Sequence, residues 1–206
     1  MIALLINGQS FSVMARTKDF DEDEVLQKAM NLFWHKGYNG TSMQDLVDGL
    51  GISRSSMYDT FGDKHSLFMR TLESYKKMGT ARMKAIVDSA PSAKKAIRSM
   101  FEYTVTELLC DDQHKGCFLV NAGVEMAPHD AEVSKMLCDN DKQLEQYFNE
   151  AIKKGQNSGE ISNEQSSHAL AQFILNSIKG IRVTAKSGAD SRVFKDIVEV
   201  TMKVLD

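Results

Sequence analysis

Six residues with hydroxyl or cationic side chains lie close together in the first third of the chain: Ser53, Arg54, Ser55, Ser56, Tyr58 and Lys64. Hydroxyl and cationic groups donate hydrogen bonds to phosphate oxygens, and arginine can also make a bidentate contact with guanine. Small serine side chains allow the element that carries them to approach another surface closely. This combination favours contact with a nucleic acid.

Two short helices joined by a glycine turn would position these side chains. Thr41 and Gln44 have the spacing of a capping box, which predicts a helix that begins there and ends near Gly49. Ser53 is predicted to cap the second helix, and Gly51 supplies the left-handed backbone of the turn between them. The apolar residues of this stretch fit a small core: Leu46, Leu50, Ile52, Met57 and Phe61. The pattern predicts a helix-turn-helix unit.

Helical periodicity continues through the rest of the chain. Apolar residues recur every three or four positions, and the sequence contains only 2 prolines. A first helix is predicted to end at Gly37, and Asp63 is predicted to cap a fourth. The helices predicted outside the helix-turn-helix unit span 21–36, 64–88, 92–112, 116–126, 130–156, 163–186 and 190–205.

The expected fold class is therefore all-α, with an N-terminal three-helix helix-turn-helix domain followed by a larger helical bundle for ligand binding and dimerisation. The predicted domains are 14–63 and 64–206. Residues 1–13 precede a second possible start at Met14, and we expect them to be a disordered or artefactual extension.

Composition limits the classes of protein that this chain can belong to. With 25 Lys and Arg against 28 Asp and Glu, the net charge is -3, so no overall basic charge attracts a nucleic acid. DNA binding is therefore expected to need a dimer and two half-sites. No apolar stretch approaches the ~20 residues that span a bilayer, so no membrane partner is expected. The 3 cysteines lack the spacing of a disulfide framework, which predicts a reduced cytoplasmic setting.

The sequence contains none of the common catalytic patterns. It has no helix with paired histidines, no glycine-rich phosphate loop and no nucleophile elbow. Neither enzymatic activity nor a bound cofactor or metal is predicted.

Three segments of the N-terminal region form a recognisable pattern. They are a Gly-Tyr-x-x-Thr-Ser element within 36–47, the segment 51–58 with its terminal tyrosine, and the segment 61–67 with its Lys-x-x-Leu step. Over roughly residues 20–70 the chain resembles the TetR/AcrR family of bacterial repressors. The remainder is similar in length and helix pattern.

The resemblance implies a transcriptional repressor that binds a palindromic double-stranded DNA operator as a homodimer and is released by a small-molecule effector. The residues that it implies at the DNA are Thr41, Ser53, Arg54, Ser55, Ser56, Tyr58 and Lys64. Thr41 would place its hydroxyl and amide on a phosphate, and Tyr58 would donate its hydroxyl to another. Residues 53–56 would meet base edges or phosphates, and Arg16 and Lys18 would form a basic arm along the duplex.

The larger domain is expected to hold the effector between its helices. The predicted lining of that site is Phe101, Thr104, Leu108, Phe118, Asn121, Glu125, Phe148 and Phe173. Asn121 and Glu125 lie four residues apart in an otherwise apolar segment, so together they could orient a ligand. The alternatives are that this polar pair faces solvent or caps a neighbouring segment, and that the aromatic residues belong to the core.

Dimerisation is expected through the helices at 130–156 and 163–186. The apolar residues that favour this are Val133, Leu137, Leu144, Tyr147, Leu170, Phe173, Ile174 and Ile181, together with Ser177. Gly180 would allow two helices to approach closely. Packing within one chain is the alternative interpretation of the same stripes.

Two further functions remain open from the sequence. Cys110, His114 and Cys117 lie near one another, with Cys138 farther along, so a thiol- or metal-sensing regulator is an alternative. The other alternative is a helical protein that binds a small molecule without binding DNA.

Overall fold

The computed structural model describes residues 20–206. The predicted extension at 1–13 and the predicted basic arm at Arg16 and Lys18 lie outside the described residues. Within the described part the chain forms nine helices and no strand: α1 (Glu22–Lys36), α2 (Met43–Leu50), α3 (Arg54–Phe61), α4 (Lys64–Ser89), α5 (Ala93–Leu109), α6 (Phe118–Glu125), α7 (Ala131–Asn157), α8 (Ser167–Ala185) and α9 (Ser191–Lys203). The predicted all-α fold class is confirmed. No helix within this range is both long and apolar enough to cross a membrane.

Local sequence signals set most of the helix ends. Gly37 ends α1 with a φ of 77°, a conformation that favours glycine. Asp63 caps α4 by accepting a hydrogen bond from the backbone N–H of Ser66 at 2.7 Å. The predicted helix at 163–186 instead begins at Ser167, because the side chain of Ser166 accepts the backbone N–H of Ala169 and caps the helix there.

A first hydrophobic cluster joins α1, α2, α3 and the beginning of α4. Phe33, Leu46, Met57 and Phe68 are each at most 1% exposed at its centre. Their packing buries the inner faces of the short helices α2 and α3, which are too short to be stable alone. The predicted apolar residues of the helix-turn-helix unit all lie in this cluster.

A second hydrophobic cluster fills the bundle of α5, α7, α8 and α9. Its fully buried members include Ile97, Phe101, Ile152 and Ile181. Helix α4 belongs to both clusters, because its first turns pack in the first and Met83 packs in the second. Helix α6 likewise packs Phe118 and neighbouring residues into the first cluster, although it lies far from α1–α3 in the sequence.

Candidate nucleic-acid interface and internal cavity

The α2–α3 turn has the geometry that its residue types predict. Gly51 adopts a left-handed backbone conformation with φ 69° and ψ 26°. Ser53 caps α3 by accepting the backbone N–H of Ser56 at 3.1 Å. Met57 and Phe61 are buried beneath α3, so the opposite side of this helix faces outward.

The outer face of α3, formed by Arg54, Ser55 and Tyr58, is exposed. Tyr58 is 46% exposed although it is a large aromatic residue. The hydroxyl of Ser53 lies 2.9 Å from that of Ser55 and 2.8 Å from that of Ser56. This short helix therefore offers one guanidinium, one phenol and a group of hydroxyls to a partner surface.

Lys64 lies at the start of α4, where helix geometry leaves free backbone N–H groups. Its ammonium lies 4.2 Å from the centre of the Tyr38 ring, which is a cation–π contact. Partial burial lowers the pKa of Lys64 from its usual value, and the carboxylates of Glu125 and Asp45 oppose that effect. The predicted position of Lys64 at a helix N-terminus is confirmed.

Thr41 does not have the predicted role. Its side chain is fully buried, its hydroxyl donates to the carbonyl of Gly37 at 2.6 Å, and its amide donates to the carbonyl of Tyr38. Neither group is free for a phosphate. The capping box of α2 is formed one residue later, by Ser42 and Asp45, so the predicted box of Thr41 and Gln44 is wrong.

The Ser42–Asp45 box is exposed and tightly bonded. Asp45 accepts the amide of Ser42 at 2.8 Å and its hydroxyl at 2.6 Å, while Ser42 accepts the amide of Asp45. Hydrogen bonds from Lys36 and Ser42 hold the pKa of Asp45 far below its usual range. The Ser-x-x-Asp spacing was visible in the sequence, but the overlapping Thr-x-x-Gln pattern has the same spacing, and only burial distinguishes them.

A cavity of about 600 Å³, partly open to solvent, lies between α4, α6, α7 and α8. Its apolar wall includes Met83, Leu119, Leu137, Leu144, Leu175 and Ile178. A volume of this size is typical of sites that enclose a small organic ligand.

Among the predicted lining residues, only Phe148 lies in this cavity. Phe101 and Thr104 are buried in the second hydrophobic cluster and its surroundings, with Leu108 packed against it, and Phe118 belongs to the first cluster. Phe173 is 43% exposed on the outside of α8. Seven of the eight predicted residues therefore lie away from this cavity, because a helical stripe shows which residues share a face but not which neighbouring helix that face meets.

The predicted polar pair does not face the cavity either. Glu125 accepts the backbone N–H groups of Tyr38 at 3.0 Å and of Asn39 at 2.8 Å. Asn121 donates to the carbonyl of Lys115 and accepts from the Lys186 ammonium. Glu125 thus caps a neighbouring segment, and it ties the end of α6 to the turn between α1 and α2.

One end of the cavity is polar. The guanidinium of Arg182 donates a hydrogen bond from Nη1 to the sulfur of Cys117 at 2.7 Å, and the hydroxyl of Tyr75 lies 3.8 Å from the same sulfur. Burial, followed by the nearby Cys117 sulfur, raises the pKa of Tyr75 well above its usual value, so its hydroxyl remains a donor at neutral pH. All three side chains line the cavity.

The cysteine and histidine cluster of the sequence is not brought together as a metal site. Cys117 is buried against Arg182, whereas Cys110 and Cys138 are exposed. Within residues 20–206, no group of three or more His, Cys, Asp or Glu side chains is placed to hold a metal ion.

Several large apolar residues on the surface of α8 and α9 are exposed. They are Phe173, Val183, Val193, Val200 and Val204. We call this surface the α8–α9 face.

The predicted dimer surface on α7 differs from this face, because the predicted apolar residues of α7 pack inside the chain. Val133 is fully buried in the first cluster, and Leu137 and Leu144 line the cavity. On α8, Leu170, Ile174 and Ile181 are also buried, so the exposed side is that of Phe173 and Gly180.

Two family models match this chain. Residues 25–71 match the model described as bacterial regulatory proteins, tetR family. Residues 93–200, which are more than half of the chain, match the model described as tetracyclin repressor-like, C-terminal domain. The chain belongs to the TetR family. Its α1–α3 region and its larger bundle therefore correspond to the two parts by which this family is recognised.

Relatives of the TetR chain include named regulators. It is 36% identical to the uncharacterized HTH-type transcriptional regulator YezE of Bacillus subtilis, over 94% of this chain and 100% of that protein. It is 28% identical to the HTH-type transcriptional repressor ComR of Escherichia coli, over 92% of this chain and 90% of the repressor.

The solved structures include a similar TetR family protein bound to DNA. This is a cysteine mutant of the regulator CifR, in complex with 26-bp double-strand operator DNA. The TM-score is 0.83 at 27% sequence identity, and the match covers 93% of this chain and 100% of CifR.

Arg182 lines the cavity of this TetR protein and was not predicted from the sequence. It lies on the stripe of α8 that also contains Ala171, Leu175 and Ile178, of which the last two line the cavity. A charged residue on an otherwise buried apolar stripe was the signal that could have identified it.

Proposed function

We propose that this TetR family chain is a DNA-binding transcriptional repressor that acts as a homodimer and leaves a palindromic operator when a small molecule enters the cavity. The observation that carries the proposal is the exposed outer face of α3, presented by a capped helix on a glycine turn. We assign DNA binding to residues 14–63, and effector binding and dimerisation to 64–206. As a regulator of bacterial genes, the protein would act in the cytoplasm.

Helix α3 is the element proposed to enter the major groove. Arg54 and Ser55 lie in its first turn, where a recognition helix contacts base edges. Tyr58 lies one turn later and would donate to a phosphate. Lys64 at the start of α4 would contribute a further phosphate contact.

Dimerisation is proposed through the α8–α9 face. Large apolar residues at this density on two adjacent helices are typical of an interaction surface. A second copy of the chain would cover the face and place two α3 helices about one DNA turn apart, ~34 Å. Two half-sites also compensate for the absence of an overall basic charge.

Helix α6 is proposed to connect the cavity to the DNA-binding helices. Leu119 and Gly123 of α6 line the cavity, and Glu125 at its end holds the backbone at Tyr38 and Asn39. A ligand that fits one position of α6 better than another would shift the population between two placements of α1–α3. The ligand would thereby change the spacing of the two α3 helices.

The test is a binding selection of random duplex DNA with the full-length chain, followed by fluorescence anisotropy on the selected sequence. We expect a palindromic sequence to be enriched. Arg54→Ala should weaken binding to it by about 1–3 kcal/mol, or roughly 5- to 150-fold, and should relax specificity at one position of each half-site. Arg82→Ala, which changes an exposed arginine of α4, is the matched control and should have little effect. Failure to enrich any sequence would disprove the proposed function.

A further inference from the structure

Arg182 is a mostly buried cation that forms no ion pair with a carboxylate among the described residues. Within residues 20–206, its Nε atom is buried and has no hydrogen-bond partner. The guanidinium makes one hydrogen bond in this range, from Nη1 to the sulfur of Cys117. Glu107 acts on it only at longer range, and the carboxylate of Glu107 accepts a hydrogen bond from Tyr103. Burying a guanidinium costs free energy that an anion in contact with it can offset.

The other charged residues of the cavity lining each lie close to an ionisable side chain. Lys179 pairs with Asp141, Lys76 pairs with Glu73, and Lys142 lies 4.0 Å from Asp139, while the carboxylate of Glu145 lies 2.7 Å from the imidazole of His168. Arg182 therefore differs from the other charged residues described in the lining. Its guanidinium lies in the cavity lining beside Tyr75 and Cys117.

The remainder of the cavity determines what kind of anion would fit. Its wall is largely apolar, with Leu119, Leu137 and Phe148 among its residues. A small hydrophilic anion would leave that wall uncovered. A molecule with one acidic group and an apolar body would satisfy both parts, with the Tyr75 hydroxyl as a second donor beside the guanidinium.

We propose that this cavity binds an organic monocarboxylate whose carboxylate contacts Arg182 and whose apolar body fills the space between α4, α6, α7 and α8. The inference rests on the proposed function only in taking this ligand as the effector. Arginine suits such a ligand because its planar donor pattern matches a carboxylate.

Isothermal calorimetry on the full-length chain tests the inference, in a buffer without carboxylate or phosphate. The probes are decanoate, 4-phenylbutanoate and 2-naphthoate, each compared with its primary amide. We expect at least one acid to bind more tightly than its amide. Arg182→Gln should weaken binding of that acid roughly 10- to 100-fold and leave its amide nearly unchanged, because a hydrogen-bonded charge contact is lost.

Two further variants separate the anchor from a general effect on folding. Tyr75→Phe keeps the ring that packs 5.0 Å from Trp34 and should weaken the acid several-fold. Lys153→Gln removes an exposed charge of α7 outside the cavity lining and should have little effect. Equal binding of acid and amide, unchanged binding by an Arg182→Gln protein with normal helicity, or no binding of any acid would each overturn the inference.

Operator binding distinguishes this inference from the proposed function. An acid that binds through Arg182 and releases the selected DNA supports both. An acid that binds through Arg182 while the DNA stays bound supports the carboxylate site but contradicts its role as effector.

Discussion

Asp45 shows how a single side chain can connect two elements of the DNA-binding region. Its carboxylate accepts the backbone N–H of Ser42 in the capping box of α2, and it also forms an ion pair with Lys36 at the end of α1. Sequence spacing alone did not identify it, because Thr41 and Gln44 have the same separation. The structure decides in favour of Ser42 and Asp45 because Thr41 is buried and its hydroxyl is already bonded to Gly37.

We expect the Asp45 carboxylate to make the stability of this region depend on pH. The folded pKa lies below the unfolded value of about 3.9, so the stabilisation is fully present above that pH and is lost as the pH falls toward the folded pKa. Asp45→Asn should lower the melting temperature at neutral pH and reduce its decline on acidification. Thermal denaturation between neutral and strongly acidic pH measures both effects.

Asp48→Asn is the control for this prediction, since Asp48 is exposed on the same helix and, among residues 20–206, accepts a side-chain hydrogen bond only from Gln44. An acid-side decline that is as steep in Asp45→Asn as in the unmodified chain would contradict the assignment.

At the scale of elements, the short helix α6 contacts both the cavity and the turn after α1. Its side chains line the cavity, and Glu125 accepts two backbone amides from the turn after α1. Removing that carboxylate leaves Tyr38 and Asn39 without their acceptor. Glu125→Ala should therefore lower the unfolding free energy by about 1–2 kcal/mol, since hydrogen bonds to a charged group are lost at a partly exposed position.

Glu125→Ala should also reduce the factor by which a cavity ligand changes operator affinity. Anisotropy titrations with and without ligand measure that factor, and Glu132→Ala on the exposed start of α7 is the control. A Glu125→Ala protein with an unchanged ligand response would show that coupling does not pass through this contact.

The α8–α9 face belongs to the same scale, because two helices form it together. Phe173→Asp or Val200→Asp should convert the dimer to a monomer, since a carboxylate buried at an apolar interface loses its hydration. Light scattering coupled to size-exclusion chromatography measures the mass. Met78→Asp changes an exposed apolar residue of α4 and should leave the mass unchanged. A dimer that persists in both α8–α9 variants would place the interface elsewhere.

At the scale of the whole molecule, the first hydrophobic cluster joins residues that are distant in sequence. The ring of Phe118 lies 5.8 Å from those of Phe68 and Tyr75, so α6 completes the core beneath the DNA-binding helices. This packing explains why Phe118 does not line the cavity, although its place in the sequence predicted that it would. It also makes the stability of the N-terminal helices depend on the larger domain.

Phe118→Ala should lower the unfolding free energy by about 3–5 kcal/mol, because a buried aromatic ring is replaced by a cavity. Urea denaturation at fixed protein concentration measures the change, and Leu109→Ala, at a half-exposed residue, should cost far less. A small effect of Phe118→Ala would mean that the first cluster does not depend on α6.

Signals confined to a few neighbouring residues were sufficient to predict the helices and the helix-turn-helix unit. Gly37, Gly51, Ser53 and Asp63 each act on backbone groups within four positions, so their effect does not depend on the rest of the fold. The outer face of α3 could also be predicted from nearby residues, because the burial of Met57 and Phe61 fixes which side of the helix points outward.

The cavity and the dimer surface depended on tertiary structure. A stripe of apolar residues indicates that one side of a helix is buried, but it does not specify which element covers that side. The same kind of stripe therefore led to Phe101 and Phe173 as cavity residues, although one is in the bundle core and the other is exposed. The partner of each helix face is set by long-range packing, and only that packing brings Arg182, Cys117 and Tyr75 to one end of the cavity.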